Sequence, residues 1–347
     1  MNDLNMAVEA LRRVVTSVPE YEIAWIAADG EEAVQRCAAD VPDLILMDLI
    51  MPRMDGAEAT RIIMRQSPCA ILVVTAAVAG TTSKVFEAMG WGALDAVNTP
   101  VLETSGDPSR ATELLAKIAM LRKLIRKPKA VMPHPRTIAV PKTDSAPGFP
   151  LIVLGASTGG PAAIARVLAG LPPHLPAAIA IVQHVDEFFA PGLASWLAQQ
   201  TSREVKIVSS GDRPEASTVQ MASTDGHLLL TPELTFAYAE EPLDCYYRPS
   251  VDVFFRSVAN YWPTQAIGVL LTGMGADGAK GLLAMRRTGW HTIAQDQGTS
   301  IVYGMPKAAA SIDAAVEILP IDQIAGGITR AIGSAPVRER IRHRSRV

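Results

Sequence analysis

Apolar positions in the first third of the chain follow a helix period and strand-like runs in alternation. Over Leu4–Val18, the residues Ala7, Val8, Leu11, Val14, Val15 and Val18 share one helical face. Tyr21–Ala28 reads as a strand, and Asp29 is placed to cap a helix over Glu31–Ala38. Short apolar runs follow at Leu44–Met47, Ile71–Val74 and Leu94–Val97, the first ending at Asp48 and the second at Thr75. Helical patterns near Ala57–Arg65 and Ser83–Met89 separate them, and Thr112–Arg126 closes the region. Strands alternating with helices predict a parallel sheet covered on both faces.

A second alternating region begins near Pro150. Leu151–Leu154 is a buried-strand run that leads through Gly155-Ala156-Ser157-Thr158-Gly159-Gly160-Pro161 into an apolar helix from Ala162. Further strands are predicted at Ala178–Val182 and Ala266–Leu271, and Asp225-Gly226 before HLLLT reads as a hairpin and strand. The intervening Lys127–Pro150 is dense in proline and in basic or polar residues without either period, which describes an extended linker. His134 sits there between prolines and is not a candidate ligand. The end of the chain carries Arg338, Arg340, Arg342, Arg344 and Arg346 as a solvated tail. The expected layout is α/β, with two doubly wound parallel-sheet domains at residues 1–126 and 150–335, a linker at 127–149 and a basic tail at 336–347.

Composition supports that layout. A chain of 347 residues fits two domains at roughly 150 residues each. With 49% hydrophobic and 19% charged residues it is not globally disordered, and a net charge of -3 excludes a nucleic-acid footprint over the whole surface. Cys37, Cys69 and Cys245 form no CxxC pair and read as thiols in a reducing compartment. No apolar run approaches the ~20 residues of a membrane span, and the opening residues, with Asp3 and Glu9, are not a secretory leader. A cytoplasmic protein with neither membrane insertion nor a nucleic-acid partner is expected. The histidines show no zinc spacing; His174, His227, His291 and His343 have structural readings.

In a doubly wound sheet, ligands gather at the carboxyl ends of strands. Asp3, Asp48 and Thr75 are expected at such ends in the first region. In the second, Gly155-Ala156-Ser157-Thr158-Gly159 is open to two readings, a phosphate cradle or a nucleophile turn. No G-x-G-x-x-G or GK[ST] is present, and the next strand ends in Gln183-His184 where a dinucleotide binder would offer an acid. His184 can serve as the base for Ser157. Asp277, in the turn Gly273-Met274-Gly275-Ala276-Asp277-Gly278 after another strand, can orient the imidazole. Backbone N–H groups of that turn, including that of Met274, could hold an oxyanion. The order Ser, His, Asp differs from that of α/β-hydrolases. Arg248, Ser250 and Asp252 precede an apolar helix and read as structural, with Arg248 a secondary candidate for the substrate rim.

The string D-L-I-M-P-x-M-D-G from Asp48 to Gly56 resembles the phosphoacceptor segment of two-component receiver domains. The resemblance implies Asp48 as acceptor, Thr75 as switch hydroxyl, and Mg²⁺ bound by Asp3 and Asp48 with water and phosphoryl oxygens. Three departures stand out. The family's first strand would lie ahead of Asn2-Asp3, so an incomplete N-terminus is expected, with the missing strand central in a 2-1-3-4-5 sheet. Thr99 before Pro100 takes the place of the phosphate-pairing lysine, and Ala96 that of the aromatic switch residue. A neutral hydroxyl cannot supply a point charge, so a weaker or rewired readout is expected.

GASTGGP, the Gln183-His184 pair after a strand, YYRPSVD and LLTGMGADGA together are similar to the catalytic domain of the chemotaxis protein-glutamate methylesterase family. That resemblance spans nearly the whole chain. It implies hydrolysis of glutamyl methyl esters on chemoreceptor cytoplasmic helices, releasing methanol, with a glutamine deamidase side activity and no cofactor for the esterase. It also implies Ser157, His184 and Asp277 as the triad, Thr158 supporting the imidazole and Met274 in the oxyanion hole. The implied partners are a methyl-accepting chemoreceptor and a histidine kinase, with the unphosphorylated receiver covering the active site. NDLNMAVEALRR and AVNTP are similar to the subgroup serving Wsp-type surface-sensing arrays. Two other classes remain open at this stage. A non-catalytic receptor-binding adaptor would be favoured by Asp277 lying far from His184, and a nucleotide-binding regulator by saturable ATP or NAD binding.

Overall fold

A computed structural model describes residues 3–75, 82–99, 108–125, 147–185, 187–223, 226–242 and 248–333. Two units divide the chain, Met1–Pro135 and Arg136–Val347. The first holds α1 (Asp3–Thr16), α2 (Gly30–Ala39), β1 (Leu44–Met47), α3 (Gly56–Gln66), β2 (Ala70–Thr75), α4 (Thr82–Gly90), β3 (Asp95–Asn98) and α5 (Pro108–Ile125). Its three strands form a parallel sheet in the order β1-β2-β3, with Leu46 beside Leu72 and Leu72 beside Asp95. Leu72, Val74 and Val97 meet Leu114, Ile118 and Leu121 of α5 and Leu11, Val14 and Val15 of α1, so the apolar stripe of α1 is spent on this core. Asp29 caps α2 by accepting from the Glu32 N–H at 2.9 Å, as its position before the helix predicts.

Two expectations fail in this unit. Tyr21–Ala28 forms no strand, although its residues alternate strictly between half-buried and exposed. The alternation is that of a strand, but a strand needs a ladder. Among the described residues it pairs with no strand of the β1-β2-β3 sheet. Asp3 begins a helix instead of following a strand. Cys37 and Cys69, 32 residues apart in sequence, meet in space: their Sγ atoms lie 4.0 Å from each other. Burial and the neighbouring Cys37 push the Cys69 thiol up to about 12.

The second unit contains β4 (Leu151–Ala156), α6 (Gly160–Gly170), β5 (Ala178–Gln183), α7 (Ala190–Thr201), β6 (Val205–Ile207), β7 (Val219–Met221), β8 (His227–Leu230) and β9 (Phe236–Ala239). It continues with α8 (Val251–Tyr261), β10 (Ala266–Leu270), α9 (Ala279–Arg287), β11 (His291–Gln295), α10 (Met305–Ser311), β12 (Glu317–Leu319) and α11 (Ile321–Gly333). Seven parallel strands run in the order β12-β11-β10-β4-β5-β7-β6. Phe254, Phe255 and Val258 of α8, with Leu282 and Met285 of α9, pack among Leu151, Val153 and Leu270 of the sheet. Burying each phenylalanine is worth roughly 1.5–3 kcal/mol, which seats α8 firmly at the sheet. The hairpin falls after HLLLT and not before it: β8 and β9 pair antiparallel across a turn where the Leu234 N–H donates to the Thr231 carbonyl. Gly226 is the bend before β8; Asp225 lies outside the described residues, as do Cys245, His134, His343, the basic tail at 336–347 and the linker at 127–149 up to residue 146. Among the described residues no helix is long and apolar enough to cross a membrane.

Candidate active site and phosphoacceptor site

β4 is central, and the chain leaves it toward β5 on one side and meets β10 on the other, which makes its carboxyl end a switch point. The ladders pair Ala156 with Gln183 and Gly155 with Leu270. They continue past the strands, with the His184 N–H donating to Ala156 and the Ser157 N–H to Thr272, each at 3.1 Å. Ser157, His184 and the turn bearing Asp277 therefore emerge at one sheet edge on adjacent strands about 4.8 Å apart. Gly278, after Asp277, has φ +84, and a Cβ there would meet Leu270 Cδ1 at 2.5 Å, so this sharp entry into α9 requires glycine.

His184 Nε2 lies 2.8 Å from Asp277 Oδ2. With side chains only 8% and 11% exposed, the pair sits where water screens it little. Asp277 is held on all sides. Its Oδ1 accepts from Ser250 Oγ at 2.8 Å and the Asp252 N–H at 3.1 Å, and its Oδ2 also accepts from the Val251 N–H at 2.7 Å. Burial alone would raise the Asp277 carboxyl, but the His184 hydrogen bond and charge, then Ser250 and the Asp252 N–H, outweigh it and hold the group below the usual carboxylate range. Two of those donors belong to the first turn of α8, whose dipole also favours an anion.

Sequence reasoning missed this use of α8. Ser250 read only as structural in the sequence; the structure also makes it the cap of α8, accepting from the Val253 N–H at 3.3 Å. Behind it, fully buried His227 accepts the Ser250 N–H on Nδ1 at 3.1 Å, with Nε2 3.2 Å from the Pro242 carbonyl. Asp252 turns to α9 and accepts the Gly281 N–H at 2.6 Å; burial nevertheless pushes its carboxyl up, and the nearby Asp277 charge adds to that. Arg248 is half-buried.

Ser157 is 4% exposed. Thr158, expected to support the imidazole, follows Ser157 out of β4. Its carbonyl is drawn toward β10 by Thr272 Oγ1 at 3.0 Å, on the far side of β4 from His184, and its own buried Oγ1 has no partner among the described residues. Met274 follows Gly273, whose N–H donates to Val302 and whose carbonyl accepts from Gly304 and Met305. Among the described residues the Met274 N–H donates to no group, which leaves it available to an acyl oxygen.

In the first unit Asp48 follows β1 and accepts the Ile50 N–H at 3.2 Å. Burial pushes its carboxyl up, and it has no ion-pair partner among the described residues, whereas Asp29 is paired with Arg53 and Asp55 with Lys84 at 2.7 Å. A half-buried, uncompensated oxygen donor fits a hard cation such as Mg²⁺, although the described residues contain no group of three metal-ligating side chains. Thr75 ends β2, buried, with Oγ1 unpartnered among the described residues, and its carbonyl accepts the Thr99 N–H at 3.1 Å. Lys117 is committed to Asp95 at 3.1 Å and to the Ala96 carbonyl at 2.6 Å.

Residues 152–328 match the family described as CheB methylesterase, and residues 1–105 match the response regulator receiver domain. A Bordetella avium protein named protein-glutamate methylesterase/protein-glutamine glutaminase 1 is 56% identical over 326 residues, covering 94% of each chain. A Pseudomonas putida protein named protein-glutamate methylesterase/protein-glutamine glutaminase of group 3 operon is 51% identical over 329 residues, covering 95% of this chain and 97% of its own. The solved Thermotoga maritima CheB methylesterase catalytic domain is 33% identical and aligns with a TM-score of 0.49, over 51% of this chain and 95% of that one.

Proposed function

The chain belongs to the CheB methylesterase family, with a response regulator receiver domain ahead of the catalytic one, and on that premise we propose that Ser157, His184 and Asp277 are its catalytic triad. The reaction is hydrolysis of glutamyl methyl esters on chemoreceptors, with glutamine deamidation as the parallel reaction of an amide. The observation that carries the assignment is the His184–Asp277 pair, seated on the first turn of α8 and one strand away from Ser157.

Asp277 takes the Nε2 proton of His184 as a hydrogen bond, so Nδ1 is the nitrogen that receives the Ser157 proton. This reverses the ring orientation of the common serine-protease template, in which Nδ1 faces the acid. The Ser157 hydroxyl and His184 come into hydrogen-bond contact when substrate binds, as catalytic contacts commonly tighten in the Michaelis complex. Ser157 Oγ then attacks the γ-carbonyl carbon, and the carbonyl oxygen gains the negative charge against the Met274 N–H. Collapse of the adduct expels methoxide, which takes the proton from His184 and leaves as methanol. Water, deprotonated by His184, cleaves the acyl-enzyme to glutamate and restores the serine. Every role is filled by a side chain or a backbone N–H, so the ester chemistry is assigned no cofactor.

The receiver is assigned to residues 1–126 and the catalytic domain to 150–335, with a linker at 127–149 and a tail at 336–347. A chemotaxis-type histidine kinase phosphorylates Asp48, with Thr75 and Thr99 at the adjoining strand ends as switch positions. Asp48 would offer an oxygen to Mg²⁺, which when bound would neutralise charge on the phosphoryl oxygens; Asp3, expected beside it at a strand end, opens α1 instead. The direct test is methanol release from methylated receptor. Ser157→Ala abolishes it under this reading; a variant that still released methanol at the wild-type rate would refute it, and wild-type protein that binds receptor yet releases no methanol would favour an adaptor.

A further inference from the structure

Gln183 ends β5, is only 3% exposed, and aims its side chain between the two loops that carry the nucleophile and the base. Its Nε2 lies 2.9 Å from the Ser157 carbonyl and 3.0 Å from the His184 carbonyl. Carbonyls only accept, so both amide hydrogens must face them; the reverse orientation would press an oxygen against two oxygens. The other amide atom, Oε1, lies against Gly160, where a Cβ would come within 1.9 Å of it. The helix entry therefore leaves room for this amide and for no side chain at position 160.

The position matters because the β4–β5 ladder ends here. After the His184 N–H bond to Ala156, the peptide groups of Ser157 and His184 diverge into separate loops. Gln183 spans that gap with one donor to each loop. On the other flank Thr272 anchors Thr158, so the nucleophile turn is tied to both neighbouring strands by buried polar side chains. We propose that Gln183 is a positioning residue for hydrolysis, setting the separation between the Ser157 and His184 backbones without touching substrate. The proposal rests on the triad reading above.

Displacement of a reacting group by about 1 Å can cost ~10² in rate. Gln183→Met keeps the length and removes both donors; kcat should fall about 10- to 100-fold with KM unchanged. Gln183→Glu supplies the decisive readout. Ionised, it offers no donor and faces two carbonyls; protonated, it donates to one. Its kcat relative to wild type should therefore rise as pH falls, whereas the Met variant's ratio stays flat. Rates are taken per folded enzyme, at a temperature where circular dichroism shows both variants fully native, so a loss of stability alone moves neither ratio. Wild-type kcat in the Met variant, or a pH-independent ratio for the Glu variant, overturns the proposal. Ser157→Ala run alongside separates the two claims, because methanol release surviving that change defeats the triad reading itself.

Discussion

Replacing Asp277 with asparagine changes one heavy atom, an oxygen to a nitrogen, and almost no volume, yet the structure predicts a collapse of activity. The carboxylate accepts four hydrogen bonds, from His184, Ser250, Val251 and Asp252. A carboxamide has one acceptor oxygen. If that oxygen keeps Ser250 and Asp252, its NH2 faces the Val251 N–H and His184 Nε2. The imidazole then accepts at Nε2 and carries its proton on Nδ1, the atom that must act as base. Loss of the correct tautomer costs about 10⁴ in kcat in triads of this kind, or ~5 kcal/mol of barrier at 1.36 kcal/mol per decade. At least one buried donor is also left unpaired, at about 1–3 kcal/mol of stability. Because folding lowers the Asp277 pKa, its stabilising contribution is present above the ordinary carboxylate range and lost as pH falls through the folded value. The stability gap between wild type and Asp277→Asn, read from denaturant midpoints, should accordingly close on acidification. Ser250→Ala removes one donor of four and a helix cap while leaving the charge; about tenfold in kcat and ~1–2 kcal/mol of stability are expected. An Asp277→Asn enzyme within tenfold of wild-type kcat would refute the assignment of the tautomer to Asp277.

Asp252 should behave with the opposite sign. Its pKa is raised by folding, so its contribution is full below the ordinary carboxylate range and lost as pH rises through the folded value. Asp252→Asn keeps an acceptor for the Gly281 N–H and should be as stable as wild type or more so at pH 7, with the difference vanishing near pH 3 in urea titrations. At the receiver, a small-molecule phosphoryl donor with Mg²⁺ should stimulate methanol release. Asp48→Ala and chelation by EDTA should each remove that stimulation; a fall in the unstimulated rate on chelation would contradict the cofactor-free esterase.

Local pattern carried most of the architecture. Leu44–Met47 appears as a strand with the predicted bounds, and the loops bearing Ser157, His184 and Asp277 were legible because each follows an apolar run that could only be a buried strand. What escaped depends on which elements meet in space. Tyr21–Ala28 has a strand's alternation but no ladder partner among the described residues. Ser250 lies 27 residues ahead of Asp277 and becomes its donor only because α8 packs beside α9. Gln183 ends an apolar run directly before His184, and nothing in its spacing reveals that its amide faces two carbonyls. Cys37 and Cys69 meet because α2 ends next to the entry to β2.

The nucleophile itself is the point on which the account stands, and a fluorophosphonate that labels activated serines reads it directly. Peptide mass spectrometry of the inactivated enzyme should place a single phosphonyl adduct on Ser157, absent in Ser157→Ala and formed far more slowly in Asp277→Asn. An adduct on another residue, or undiminished labelling when Asp277 is replaced, would contradict it.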